Sequence, residues 1–339
     1  MNADLMLVID NRDTRLTLDG RALRLESPDA ALRHIPLGVL GLVVVHGRAL
    51  VGCEVWRALA ERGIPAVLQS SRGHGAAAWM SAALGSTVAL RTAQHRAADR
   101  TERRLACARR ILIAKLHAHA RAAAVLSADS APRQADTRLG EQLAEARRQL
   151  NTAPTLAALM GHEGTAARAW YQWLATRLPA HWQFRGRNRR PPRDPVNALL
   201  SLGYTLLGGE MLGAVQQQGL DPARGVLHDL VPGRESLVLD LIEPLRPSVD
   251  LVIVSLLDTV LGPQDFTTSA EDGCRLGKDG RNRFYHAWAH ARRDWPDLQC
   301  DEALDSDPTA TTLAQCCWRE TASLREDLKD LMPAMDDRS

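Results

Sequence analysis

The sequence predicts an α+β protein in which a small β-rich N-terminal domain, residues 1–88, precedes a larger all-α domain, residues 89–339. Three observations carry that reading. The chain of 339 residues exceeds the usual size of one domain. Before about residue 90, short apolar runs alternate with turn signals, a strand pattern. From Arg91 onward the chain turns Ala-rich with few breakers, a helix pattern.

In the N-terminal part, DLMLVID, TRLTLDG and RALRLES read as short strands, with turn signals at Asn11-Arg12-Asp13 and Asp19-Gly20. Gly41 to His46 is a fuller apolar strand. A short helix over Cys53 to Arg62 should end at Gly63, and IPAVLQSS is a further strand closing at Arg72-Gly73-His74-Gly75. His46 and His74 read as polar strand-end groups. The stretch from Arg91 to Ser127 predicts one or two long helices, and Ser127 to Arg138 a polar linker. LGEQLAEARRQLNTAPTLAALMGHEG resumes the helical pattern, placing Glu163 within or near the start of a helix through Trp170 and Trp173. HWQFRGRNRRPPRD is a loop by its Gly and Pro content, and VNALLSLGYTLLGGEMLGAVQQQG a strong apolar helix. Its Tyr204 reads as a packing residue with a hydrogen-bonded tip rather than a nucleophile, and its Glu210 as a surface acid. The apolar run after Asp250 belongs in the core, and a last helix closes the chain.

Composition excludes several classes. Apolar content of 45% and charged content of 24% are ordinary for a globular chain. No stretch is expected to cross a membrane, and MNADLMLVIDNRD carries acids where a secretory signal needs bases, so a cytoplasmic protein follows. The six cysteines lack C-x-x-C spacing, which argues against structural zinc, and Cys316 and Cys317 read as buried small hydrophobes. A net charge of +2 does not by itself announce nucleic acid. Its distribution does more. Arg185, Arg187, Arg189, Arg190 and Arg193 cluster without an acid among them, and Lys278, Arg281, Arg283, Arg292 and Arg293 interleave with Phe284, Tyr285 and Trp288. Such mixtures grip phosphates and stack bases; a solvated loop and a helix with one buried aromatic face are the plainer reading.

The chemistry concentrates in GLDPARGVLHDLVPGRESLVLDLIEPLRP, residues 219–247. Asp240 and Glu243 are three apart, a spacing that puts both carboxylates on one face if SLVLDLIEPLR is one helix. Pro244 then interrupts that helix and Pro247 stops it. His228 precedes the Pro232-Gly233 break, so the chain can fold back and bring an imidazole to the acids. One His with carboxylates suits a divalent ion of the Mg/Mn type on phosphate oxygens. The competing reading is a core histidine beside two solvated acids.

A second segment bears on that choice. Glu163-Gly164, Ala167-Arg168, Asn197-Ala198-Leu199-Leu200-Ser201, Leu220-Asp221-Pro222, His228 and Asp240-Leu241-Ile242-Glu243-Pro244 follow in the order of an E-G-x-x-A-R, N-A-L-L-S, L-D-P, H and D-L-x-E-P series. The series closely resembles the CRISPR adaptation integrases, the Cas-one family of metal-dependent DNA endonucleases. The resemblance implies that Glu163, His228 and Glu243 hold Mg2+ or Mn2+ and do the catalysis, with Asp240 as a supporting acid. It implies insertion of short foreign DNA fragments (spacers) into a CRISPR repeat array by 3′-hydroxyl attack on a phosphodiester. It implies a homodimer joined through the N-terminal domain, and two such dimers flanking a Cas-two dimer. Arg187, Arg190, Lys278 and Arg283 are the candidate DNA contacts. Two alternatives remain: a metal-dependent, structure-selective nuclease of DNA repair that uses the same residues, and a non-catalytic DNA-binding scaffold.

Overall fold

A computed structural model describes residues 5–11, 13–28, 30–69, 77–80, 88–128, 131, 133–188, 191–299 and 311–332. The chain opens with strands β1 (Leu5–Ile9), β2 (Thr14–Asp19), β3 (Ala22–Ser27), β4 (Ala30–Pro36), β5 (Leu40–His46) and β6 (Ala49–Val51). Helix α1 (Cys53–Glu61) and strands β7 (Ala66–Gln69) and β8 (Ala78–Met80) follow. They build two sheets, ordered β1-β5-β7-β8 and β4-β3-β2-β6. Asp19-Gly20 closes the β2–β3 hairpin as expected, with Asp19 opposite Ala22 and Gly20 at φ +59°. The strands on either side of Asn11–Asp13 lie in different sheets. Strand β4 was not anticipated, because only Ile35 is buried among its seven residues and no alternation marks an edge strand of this kind. The expected strand end at residues 72–75 lies outside the described residues, as do His74, Arg189, Arg190 and Cys300.

Strands β1, β5 and β7 are parallel, and their sheet is covered on both faces. Leu7, Ile9, Val43 and Val45 pack with Leu16, Leu23, Val55 and Leu59 in a core private to the N-terminal part. The alternate residues Met6, Leu42, Val44 and Val67 belong instead to the large helical core.

The helices are α2 (Val88–Asp99), α3 (Thr101–Ser127), α4 (Gln134–Thr152), α5 (Leu156–Arg177), α6 (Pro195–Gln217), α7 (Ser236–Leu241) and α8 (Arg246–Leu256). A hairpin, β9 (Phe266–Ser269) and β10 (Gly273–Leu276), intervenes before α9 (Lys278–Ala291) and α10 (Leu313–Asp327). Among its described residues the region is therefore helical apart from one hairpin that the sequence did not announce. Helix α4 also begins at Gln134, inside the expected linker.

Helix α6 organises the rest. Asp194 caps it, its carboxylate accepting from the Asn197 amide at 2.9 Å, and Pro195 occupies the first turn, where no N–H is needed. Against expectation, α6 is long and apolar enough to cross a membrane by length and composition, but 78% of that apolar window is buried inside the protein. It is a core helix, buried on nearly every side. That position corrects the reading of Glu210, which is buried and ion-paired with Arg292 instead of facing solvent. Cys316 and Cys317 are buried, as expected.

Candidate metal and phosphodiester site

Residues 219–247 fold into a loop and three short helical pieces. Gln94 of α2 anchors the loop: its amide donates to the Asp221 and Arg224 carbonyls and accepts from the Asp221 N–H. Arg104 of α3 donates to the Val226 carbonyl at 2.9 Å. The expected single helix is in fact α7, a 3-10 turn over Glu243–Leu245, and α8. Pro247 does not stop a helix. It starts one, at the N-terminal turn of α8, where its missing N–H costs nothing. Consequently Asp240 and Glu243 do not serve one partner, and each takes a separate role.

Asp240 is fully buried and wraps the loop. Its Oδ2 accepts the Val226 and Leu227 amides at 2.6 and 2.8 Å, and its Oδ1 accepts the His228 amide at 3.0 Å. The same Oδ1 accepts the His228 Nδ1–H at 2.6 Å. Gly225 makes the wrap possible, since a Cβ there would lie 2.7 Å from Oδ2. A carboxylate on Nδ1 fixes the ring and leaves Nε2 with its lone pair, the arrangement that orients metal-binding histidines.

Glu243 and Glu163 meet elsewhere. Thr155 caps α5 by accepting the Ala158 amide, and Glu163 follows in the helix's early turns. Its Oε1 and the Oε2 of Glu243 both lie 2.5 Å from the Nζ of Lys115 on α3. Arg246 adds an ion pair to the other Glu243 oxygen at 3.0 Å. Burial works against ionisation of Glu243, but the charges of Arg246 and Lys115, with a further contribution from His228, outweigh it and hold the carboxyl down at about 2. For Lys115 burial also disfavours the charge, yet Glu243 and Glu163 prevail and keep the ammonium above its ordinary value.

Lys115 escaped the sequence reading, although a signal was there. The chain has three lysines against thirty-nine arginines, and this one falls on the buried stripe of α3 with Ile111, Leu112 and Ala118. A charge on an apolar helix face needs a partner. An ammonium, with three donors on one atom, can serve two carboxylates at once.

Arg246 was missed as well. Its guanidinium lies 4.7 Å from the Tyr204 ring centroid, and the Tyr204 hydroxyl donates to Asp250, which also accepts from Trp170 Nε1 at 2.8 Å. Burial and Asp250 push the Tyr204 phenol well above its ordinary value, so it is a packing residue, as read. Burial raises Asp250 to about 6 against the hydrogen bonds of Tyr204 and Trp170.

Among the described residues no three or more His, Cys, Asp or Glu side chains are gathered closely enough to hold a metal ion. Two carboxylates nevertheless converge on one cationic atom, and an imidazole is oriented by a third carboxylate. That donor set, with a lysine ammonium standing in for the ion, fits a hard divalent cation.

The candidate DNA contacts divide. Arg187 bonds to Asn197 at 2.8 Å and Ser201 at 3.0 Å and lies over the Tyr204 ring, so it braces the loop before α6. Lys278 is exposed at the start of α9, and Arg283, also exposed, pairs with Asp265. Phe284, Tyr285 and Trp288 are buried, which settles that stripe as core and not a stacking surface.

Residues 7–290 match the family model described as CRISPR associated protein Cas1. A "CRISPR-associated endonuclease Cas1 2" of Rhodospirillum rubrum is 33% identical over 84% of this chain and 85% of its own length. A "CRISPR-associated exonuclease Cas4/endonuclease Cas1 fusion" of the same organism is 36% identical over 66% of this chain, and the match spans only 41% of that longer protein. Among solved structures, a "Casposase bound to integration product" superimposes with a TM-score of 0.79 at 21% identity, over 96% of this chain and 91% of the other.

Proposed function

The chain belongs to the CRISPR-associated Cas1 family, and we propose that it is a metal-dependent DNA endonuclease and integrase of CRISPR adaptation. On this reading it works in the cytoplasm and inserts short foreign DNA fragments into a repeat array. The observation that carries the reading is the convergence of Glu163 and Glu243 on one cation position, beside an imidazole that Asp240 orients.

Glu163, Glu243 and His228 Nε2 would hold Mg2+ or Mn2+, with Asp240 as the supporting acid. The ion, when bound, polarises a phosphate and stabilises a departing oxygen. The protein's own groups do the rest. Asp240 keeps the His228 proton on Nδ1, and Arg246 keeps Glu243 ionised and fixed against Tyr204. The 3′-hydroxyl of the incoming fragment attacks a repeat phosphodiester, forming one P–O bond as another breaks; water in its place gives hydrolysis. Lys278 and Arg283 are the described candidates for backbone phosphates, and Arg190 remains a candidate outside the described residues.

Residues 1–88 form the dimer-contact domain and 89–339 the catalytic domain in this proposal. Exposed Leu32 and Leu50, on the edge strands β4 and β6, supply apolar surface for the dimer. The family resemblance implies DNA and a Cas-two dimer as partners. Strand transfer of a short duplex into a repeat-bearing plasmid, with Mn2+ and the partner, tests the reading. Glu163→Gln and His228→Ala should each reduce transfer roughly a hundredfold or more while DNA binding persists. Undiminished transfer in either variant removes that residue from the mechanism. Absence of transfer by the wild type, with DNA still bound, would favour a scaffold.

A further inference from the structure

Lys115 is 6% exposed, and its Nζ stands 2.5 Å from both Glu163 Oε1 and Glu243 Oε2. The two acids come from helices far apart in sequence, and α3 lies between them. With Arg246 on the other side of Glu243, two cations already balance two carboxylates in a buried setting. An ammonium and a divalent ion cannot both occupy the space between the same two oxygens, since like charges so close in a low-dielectric interior repel strongly. Neither can the glutamates be left without a cation, because the buried Glu243 carboxylate beside the partly buried one of Glu163 is costly to leave unpaired.

We propose that Lys115 is a resident counter-cation of the metal seat: it keeps Glu163 and Glu243 assembled before the divalent ion arrives, and it must withdraw for the ion to bind. The inference rests on the metal-site reading above. Metal loading is then an exchange of one cation for another. The four-carbon stem of lysine gives the ammonium the rotamers it needs to leave. Apparent metal affinity is lowered by the fraction of molecules in which Lys115 is in place.

The direction of the effect separates this role from a merely structural one. A lysine that only props the site open would, when removed, loosen the glutamates and weaken metal binding. A competitor, when removed, strengthens it. Full-length wild type and Lys115→Met are titrated with Mn2+ by calorimetry, with the thermal midpoint followed with and without the ion. Lys115→Met should bind Mn2+ about tenfold tighter, and saturating Mn2+ should raise its midpoint further than that of wild type. Lys115→Arg, which keeps the charge, should not gain affinity. A Lys115→Met protein that folds only when Mn2+ is supplied also supports the proposal. Equal or weaker binding by the folded variant overturns it while leaving the metal site standing; absence of Mn2+ binding by either protein overturns both. Crystals of wild type grown with Mn2+ give an independent readout: Nζ still between the two glutamates, with the ion bound elsewhere, refutes the exchange.

Discussion

Asp240 shows how much one side chain can hold when every lone pair is used. Four N–H groups donate into its two oxygens, three from consecutive backbone amides and one from the His228 ring. Asp240→Asn replaces one acceptor with an NH2 that faces donors, and it frees the imidazole. The expected cost is roughly 3 kcal/mol in urea unfolding, together with a ten- to hundredfold loss of Mn2+ affinity, approximately, from the misoriented histidine. A variant with unchanged affinity would show that His228 is held by packing alone. Asp250 makes the opposite electrostatic case. Burial raises its carboxyl from 3.8 to about 6, so the folded state retains a proton that the unfolded chain has lost. The resulting stability is complete below the unfolded value and disappears as pH rises through 6, a change of roughly 3 kcal/mol. Asp250→Asn lacks that slope. The stability difference between wild type and variant should therefore move by roughly 2 kcal/mol in the variant's favour between pH 4 and 7, in urea titrations at each pH.

Helix α6 meets the sheet through two glycines. A Cβ on Gly208 would stand 2.3 Å from the Trp79 ring, and one on Gly209 would stand 2.3 Å from Val67 Cγ2. Gly209→Ala should wedge helix from sheet and lower stability by about 1–3 kcal/mol. Gly140→Ala, on the exposed side of α4 with nothing within 4 Å, should raise it by up to about 1 kcal/mol. Chemical denaturation of the two variants checks both signs, and a stabilised Gly209→Ala would mean the sheet yields. The same elements show which parts of the fold the sequence makes legible. The apolar run of α6, the N-terminal strands with alternating burial and the end of α1 near Gly63, at φ +66°, are local patterns and read correctly. What escaped depends on tertiary neighbours. Glu210 looks like a surface acid until Arg292 arrives from α9 to pair with it. Pro247 looks like a stop because a sequence shows that proline ends a helix more readily than that it begins the next, whereas Pro244 does mark the expected interruption after α7 ends at Leu241. At the site, Glu163, His228 and Glu243 were proposed from the resemblance to a family. The ammonium between two of them was not, because it comes from a helix whose own pattern is an apolar stripe.

At the scale of the whole molecule, the N-terminal sheet faces two cores at once. One side of β1, β5 and β7 packs on the N-terminal layer, while Met6, Leu42, Val44 and Val67 on the other side enter the helical core. A second tie is electrostatic: Arg281 of α9 reaches both oxygens of Asp10, just past β1, at 3.1 Å each. A bidentate, partly buried pair of this kind is stronger than a surface contact. Parts that share a buried face unfold together, because opening either exposes apolar area belonging to both. Unfolding should therefore be one transition even though the chain has two layers. The free energy from tryptophan fluorescence in urea, which reports Trp170, Trp173, Trp182 and Trp288 in the helical core, should match that from hydrogen exchange of the β5 amides. Arg281→Ala should lower both by about 1.5–3 kcal/mol. If β5 exchanges at a clearly lower free energy than the helices unfold, the shared face is not binding the layers together. The N-terminal part would then be free to move as a body, with Lys115, Glu163 and the 219–247 segment left in place.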